Sequence, residues 1–413
     1  MNAKIAYLIY ILLLLTGLFV GACRGDEDIE PPLPGSPGDT LARTLIVYMA
    51  AENNLNSYLQ VDSLEIAWGL DSIDDNSRVV LFIDDARSSR LCVGTRREQL
   101  QTVKTYEGNL CSTDSLTMAN VLRDIFRLYP ARTYGLVMCS HASGWLFDDP
   151  LLSTQSPRRR SFGIDNGRRS SSSNSGRKMN IPTLAGVLSG CPHMDFLFFD
   201  ACFMQCVEVA YELRHSADYI IASPAEIPAS GAPYTQMLRA LCAVPSDAGA
   251  IVQQYMDFYT TGNGAFSYGG AELSVIRTDR LERLAQATAP LMSHLLADSK
   301  ELDIDGVQRY YEDLSSSYYT GFFDLKHLFY THLDSGAYNR WVQTFDDVVP
   351  IQALSPSWYS AYNYGTRMYV RDIAHTGGVS VFVPRSRHKD NGWLDAYHCL
   401  QWYEDTGMNV TKW

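Results

Sequence analysis

The sequence predicts an α/β protein built on a mainly parallel sheet, and three observations carry that expectation. Seven apolar runs have strand length, most of them almost continuous: Thr44–Ala50, Val79–Ile83, Tyr134–Cys139, Met194–Phe199, Tyr219–Ala222, Leu273–Arg277 and Gly378–Val383. Strands covered by helices on both faces read this way, whereas a half-solvated antiparallel strand alternates. Stretches of helical spacing separate the runs, and the order β-α-β-α-β implies right-handed crossovers between parallel strands. Finally, 413 residues with 46% hydrophobic and 19% charged side chains describe a globular chain with a core, not a disordered or collagen-like one. The net charge of −12 argues against a dedicated nucleic-acid binder, whose affinity rests on neutralising phosphates.

The chain opens on an address. Residues 1–22 carry Lys4 and then an apolar run from Ile5 to Val20, the pattern of a secretory signal peptide. A single membrane-spanning helix is the competing reading of such a run. Val20-Gly21-Ala22-Cys23 resembles the lipobox of bacterial lipoproteins, which makes Cys23 the lipidated N-terminus of the mature protein and its link to the membrane. Residues 23–42 are acidic from Asp26 to Glu30 and then rich in Pro and Gly, a solvated tether. Acidic residues directly after the cysteine resemble the surface-export signal of Bacteroidetes lipoproteins. The expectation is an outer-membrane lipoprotein, periplasmic or exposed at the cell surface, with the tether favouring the surface.

In the body, residues 43–279 read as the α/β core. Asn56–Trp68 puts Leu55, Leu59, Asp62 and Ile66 on neighbouring turns, a mixed face, while Ser115–Leu128 is cleanly amphipathic. Ala185–Leu188 and Phe203–Leu213 follow the same spacing. Residues 280–413 read as an α-rich region, or a small second domain, that returns a last strand (377–384) to the sheet. Residues 157–178 break the pattern: Arg158, Arg159, Arg160, Arg168, Arg169, Arg177 and Lys178 surround a Ser-rich middle without periodicity, as in a long exposed loop. Cys92 and Cys111 flank a short polar stretch of hairpin type and are either a disulfide or two free thiols.

Ligand sites in open α/β sheets lie at the carboxyl ends of the strands. Tyr134–Cys139 runs into Ser140-His141-Ala142-Ser143-Gly144-Trp145, and Met194–Phe199 into Asp200-Ala201-Cys202-Phe203-Met204. A histidine and a cysteine thus follow two strands of one sheet. A thiolate is the nucleophile, and an imidazole can lower the thiol pKa or take its proton during attack. A helix beginning at Phe203 would add its dipole. The N–H of Cys202 and one from the Ala142, Ser143, Gly144 turn would serve as oxyanion donors. Metal ligation finds no C-x-x-C or H-E-x-x-H pattern, and there is neither a G-x-S-x-G elbow nor a P-loop.

These motifs resemble those of the clostripain family of cysteine peptidases, in the clan of caspases and gingipains. Leu45–Leu55 resembles the family's opening strand and acidic/Asn turn, and Gly378–Pro384 its late strand, so the resemblance covers roughly 44–384. It implies a caspase-like α/β/α sandwich. It implies Cys202 as nucleophile, His141 as general acid/base, and Asp200 as an acid of the P1 pocket, so an endopeptidase cutting proteins or peptides after Arg or Lys. At Asp200 a carboxylate capping the following helix is the alternative. Some members place a second pocket acid before a glycine, where this chain has Ser230, and Ala142 stands where Gly is usual. Ser230 is the expected substrate-binding residue there, and with Ala232 in place of a family Trp it makes a basic P1 less firmly implied than peptidase activity, while Ala142 still offers its N–H with less backbone freedom. Glu226 is either a loop anchor or a pocket wall. Several clan members are zymogens cut between the two motifs, which points to 157–178 as a processing loop. No cofactor is read from the residues, although some members require calcium. The alternative function is a catalytically weak relative acting as a surface binding or scaffolding lipoprotein. Oligomeric state is not legible.

Overall fold

A computed structural model describes residues 40–146, 162–167, 169, 176–264, 268–310, 321–360, 366–389 and 392–413. The expected signal segment, Cys23, most of the tether, Arg158–Arg160 and Arg168 lie outside them. The strands are β1 (Leu41–Ala50), β2 (Ser77–Asp84), β3 (Ser89–Thr95), β4 (Gln101–Tyr106), β5 (Ala131–Cys139), β6 (Phe162–Asp165), β7 (Arg177–Met179), β8 (Met194–Asp200), β9 (Ala217–Ala222), β10 (Glu272–Arg277), β11 (Phe322–Asp324), β12 (Ile351–Leu354), β13 (Ser357–Ser360), β14 (Thr366–Tyr369) and β15 (Ser380–Phe382). The main helices are α1 (Asn56–Gly69), α2 (Ser115–Leu128), α3 (Ile181–Leu188), α4 (Val207–Glu212), α5 (Tyr234–Leu241), α6 (Ala248–Thr260), α7 (Leu281–Leu295), α8 (Leu325–His332) and α9 (Ser335–Val348).

Nine strands form one sheet in the order β12-β10-β9-β8-β5-β1-β2-β3-β4. The five central strands β9, β8, β5, β1 and β2 are parallel, and antiparallel strands finish both edges. Successive side chains of a strand point to opposite faces. Accordingly Leu45, Val47 and Met49 of β1 pack with α1, α5 and α6, while Ile46 and Tyr48 pack on the other face with α2, α3 and α4. This is the expected three-layer α/β/α arrangement. Helix starts follow local chemistry: Asp114 caps α2 by accepting from the N–H of Leu116 (3.1 Å) and Thr117 (3.0 Å). Register aligns the carboxyl ends that matter, with Met49 beside Cys139 and Cys139 beside Asp200.

Two expectations change, the last strand and the start of α4, and two open alternatives are narrowed. The run at 377–384 does not return to the large sheet; it forms β15, which pairs with β11 in a separate two-stranded sheet. Its leading amides are taken elsewhere: Gly377 and Gly378 donate to the Asp324 carboxylate, and Ser380 to the carbonyl of Gln205. The strand that does return from this region is β12, at the sheet edge. Residues 280–413 are also not a separate domain, since Leu281, Phe345, Val381 and Trp402 share one core with Ile46 and Leu136. Helix α4 begins at Val207, not Phe203. Phe203 has φ of 61°, outside the helical region, and the N–H groups of Phe203 and Gln205 go to the carbonyls of Ala225 and Ser223. Cys92 and Cys111 are free thiols.

Candidate active site

The site assembles from three adjacent strand ends. The turn after β1 carries Asn53, whose amide donates to the carbonyls of Ala50 (2.8 Å) and Ile164 (2.8 Å). Ser140, directly after β5, donates to the same Ala50 carbonyl at 2.8 Å. These bonds lock the β1 turn to the start of the His141 loop. Asn54 then places its Oδ1 2.6 Å from His141 Nε2. A carbonyl oxygen only accepts, so Nε2 carries the proton and Nδ1 holds the lone pair. Cys202 lies two residues beyond β8. The structure brings His141, Cys202 and Asp200 onto the wall of one cavity of about 540 Å³, together with Asn54, Asp62, Ser140, Glu226 and Ile227.

The loop holding Cys202 is tightly built. The Ile227 N–H points at Cys202 Sγ at 3.5 Å. The left-handed φ of Phe203 is a strained state that its bond to Ala225 (3.0 Å) and the burial of its ring maintain. Ala142 and Ser143 form the turn leading to Gly144, which has φ of 65° and lies so close to the Phe203 carbonyl that a Cβ there would sit 3.2 Å away. A small residue at 144 therefore lets the His and Cys loops meet.

Burial pushes the Cys202 thiol up to about 12, with the charges of Glu226 and Asp200 adding to it and the Ile227 N–H opposing. Burial, and after it the Lys178 ammonium, lower His141 to about 4. Lys178 is itself brought down to about 8 by burial. At neutral pH burial thus favours a neutral thiol at Cys202 and a neutral imidazole at His141. The expected thiolate support from a helix dipole is absent because α4 starts four residues later than expected.

Asp200 is not a helix cap. Its Oδ2 accepts from the Ala232 N–H (3.1 Å) and the Tyr234 hydroxyl (2.8 Å), both in the loop and helix that follow β9. Ser230 does not line the cavity; its hydroxyl pairs with that of Tyr259 at 3.1 Å. Glu226 is both of the things expected of it: its Oε2 accepts from the Ser360 hydroxyl at 2.6 Å, and it forms part of the wall. Cys139 and Cys206 are buried bystanders, bonded to Tyr234 and Glu208. Sequence reasoning missed the roles of Asn54, Asp62, Tyr58, Tyr268 and Tyr359 at the cavity. Two signals were present: Asn54 lies in the acidic/Asn turn, and Asp62 interrupts an apolar helix face.

Of the basic segment, Arg177 is exposed on β7 and Lys178 is half-buried near His141. Arg169 enters a buried cluster of Glu52, Asp84 and Asp165, with Nη1 2.9 Å from Asp84 Oδ1 and 3.9 Å from Glu52 Oε2. Among the described residues this is the one acid group compact enough for a cation such as calcium. A guanidinium already supplies the positive charge there, so the residues as placed do not fit a metal ion.

The family model for the clostripain family (C11 peptidases) matches residues 47–413. The chain belongs to the clostripain family. A secreted C11 cysteine protease from Bacteroides thetaiotaomicron, solved with an irreversible peptide inhibitor, is 31% identical; 89% of this chain and 99% of that chain are covered, with a TM-score of 0.75. An inactive zymogen of a C11 protease from Parabacteroides distasonis is 27% identical over the same shares, with a TM-score of 0.73. No curated protein sequence matches the chain. This clostripain-family chain is thus a cysteine protease with the caspase-like sandwich that its motifs led one to expect.

Proposed function

We propose that this clostripain-family protease is an endopeptidase that cuts after Arg or Lys, with Cys202 as nucleophile and His141 as general base and then acid. The observation that carries it is one cavity in which a thiol and an imidazole face a wall of carboxyl groups, Asp62, Asp200 and Glu226, with no Lys or Arg among the described lining residues. His141 Nδ1 takes the thiol proton as Sγ attacks the scissile carbonyl. The backbone N–H of Cys202, with one from the Ala142–Ser143 turn, holds the oxyanion; losing one such donor costs about 3 kcal/mol. The imidazolium then protonates the leaving amine, and water hydrolyses the thioester. Fluorogenic peptides differing only in P1 (Arg, Lys, Asp) test this. Turnover after Arg and Lys that disappears in Cys202→Ala supports it, and turnover after Asp alone overturns the P1 assignment.

The proposal extends to a latent chain activated by cleavage within 157–178. Support comes from the resting protonation of the pair and from Lys178, whose charge opposes protonation of His141. Cys202→Ala staying single-chain while wild type is nicked is the expected result; equal nicking in both eliminates self-cleavage. Delivery to the outer membrane through lipid at Cys23 is part of the same proposal, and palmitate labelling retained in Cys23→Ala would refute it.

A further inference from the structure

The P1 wall holds more acid than the motifs account for. Asp62, on α1, is 2% exposed, and Asp200, after β8, is 5% exposed; both line the cavity that contains Cys202. Asp62 Oδ2 and Asp200 Oδ1 are buried and make no hydrogen bond. Among the described residues, neither carboxyl has an ion-pair partner. The position before Gly231 is Ser230, whose hydroxyl is engaged with Tyr259.

We infer that Asp62 is the second acid of the P1 site, forming with Asp200 a two-walled cleft for the ammonium or guanidinium of a P1 Lys or Arg. This rests on the basic-P1 assignment above and adds a specificity residue to it. Two carboxyls in one low-dielectric space do not both ionise unless a cation joins them. Burial, then Asp200 and Glu65, push Asp62 up to about 9, and burial raises Asp200 as well. The other titratable groups facing Asp62 are Tyr234, Tyr259 and Cys139, all held above their ordinary values by burial, so they stay neutral from pH 6 to 9. Glu65, one turn along α1, is raised by burial. The empty cleft therefore keeps a proton. A cationic P1 side chain takes its place, one O–H bond of the carboxyl pair breaks, and the proton leaves to solvent. Binding of a cationic P1 accordingly tightens as pH rises.

The test is the KM and kcat of active enzyme on paired peptides with P1 Arg, Lys or citrulline, the neutral isostere of Arg, from pH 6 to 9. For wild type, KM for Arg and Lys should fall as pH rises, by up to about tenfold per pH unit for one released proton, while citrulline shows no such slope. Asp62→Asn should raise KM for Arg and Lys by about tenfold or more, acting mainly on KM and far less on kcat, with a much smaller effect on citrulline and a flattened pH slope. Unchanged KM and slope in Asp62→Asn, with loss only in Asp200→Asn, would overturn the inference and leave the basic-P1 assignment standing. Wild type that prefers citrulline over Arg would instead sink that assignment itself. Should Asp62→Asn fail to fold by thermal melting, the wild-type comparison decides: equal pH slopes for Arg and citrulline overturn the inference.

Discussion

Gly231→Ala is the most informative single methyl in this protein. Gly231 has φ of 61°, and a Cβ at that position would lie 2.8 Å from Asp200 Oδ2 and 3.2 Å from Oδ1. The backbone cannot swing away easily, because the Gly231 N–H donates to the Pro228 carbonyl and the Tyr259 hydroxyl donates to the Gly231 carbonyl. The left-handed conformation costs an alanine roughly 1–2 kcal/mol. Displacing the Asp200 carboxyl weakens its bond to the Ala232 N–H or the Tyr234 hydroxyl, about 1 kcal/mol more. The sum is a destabilisation of about 2–3 kcal/mol, read by denaturant unfolding. Since the displaced group is the proposed P1 acid, KM for a P1-Arg peptide should also rise by about tenfold, with a smaller change for P1 citrulline. A variant as stable as wild type with unchanged KM for Arg would refute the packing of Gly231 on Asp200 and the role given to that carboxyl.

Three further outcomes are expected. Asn54→Ala removes the acceptor of the His141 Nε2 proton and should lower kcat/KM by about tenfold, the worth of one hydrogen bond, while melting temperature changes little. Iodoacetamide alkylation of Cys202 in the uncut chain should be slow and still rising at pH 9: a thiol pushed up to about 12 carries about three orders of magnitude less thiolate than a free one near 8.5. A plateau reached by pH 8 would contradict it. Arg169→Ala leaves Glu52, Asp84 and Asp165 without their guanidinium and should cost about 3 kcal/mol at pH 8. Asp84 already sits at about 7 because burial disfavours its charge. Carboxyls raised on folding take up protons as pH falls, so the loss in Arg169→Ala should shrink below pH 7, which unfolding curves at pH 8 and pH 5.5 would show.

The central strands were legible because helices cover both faces, leaving the middles of β1, β2, β5 and β8 almost wholly apolar. The places of His141 and Cys202 were legible for a related reason: chemistry in such sheets gathers where buried strands end. The pattern failed where a single conformation or polar contact overrules it. Apolar spacing continues from Phe203 into α4, yet the left-handed Phe203 and the carbonyls of Ser223 and Ala225 hold residues 203–205 out of the helix. The run at 378–383 reads as a sheet strand, and Asp324 and Gln205 capture its amides first. Arg169 looked like part of a solvated loop because the three acids it meets are distributed over β2, β6 and the β1 turn. Asp62 looked like an imperfection on a helix face until the fold set it beside Asp200.

Cys202 and His141 are the one thiol and one imidazole proposed to carry out peptide-bond cleavage in this chain. The most direct measurement is kcat/KM on a P1-Arg or P1-Lys fluorogenic peptide for wild type, Cys202→Ala and His141→Ala, each checked for folding by thermal unfolding. Both folded variants should lose at least about a thousandfold. Turnover by folded Cys202→Ala at the wild-type rate would contradict it.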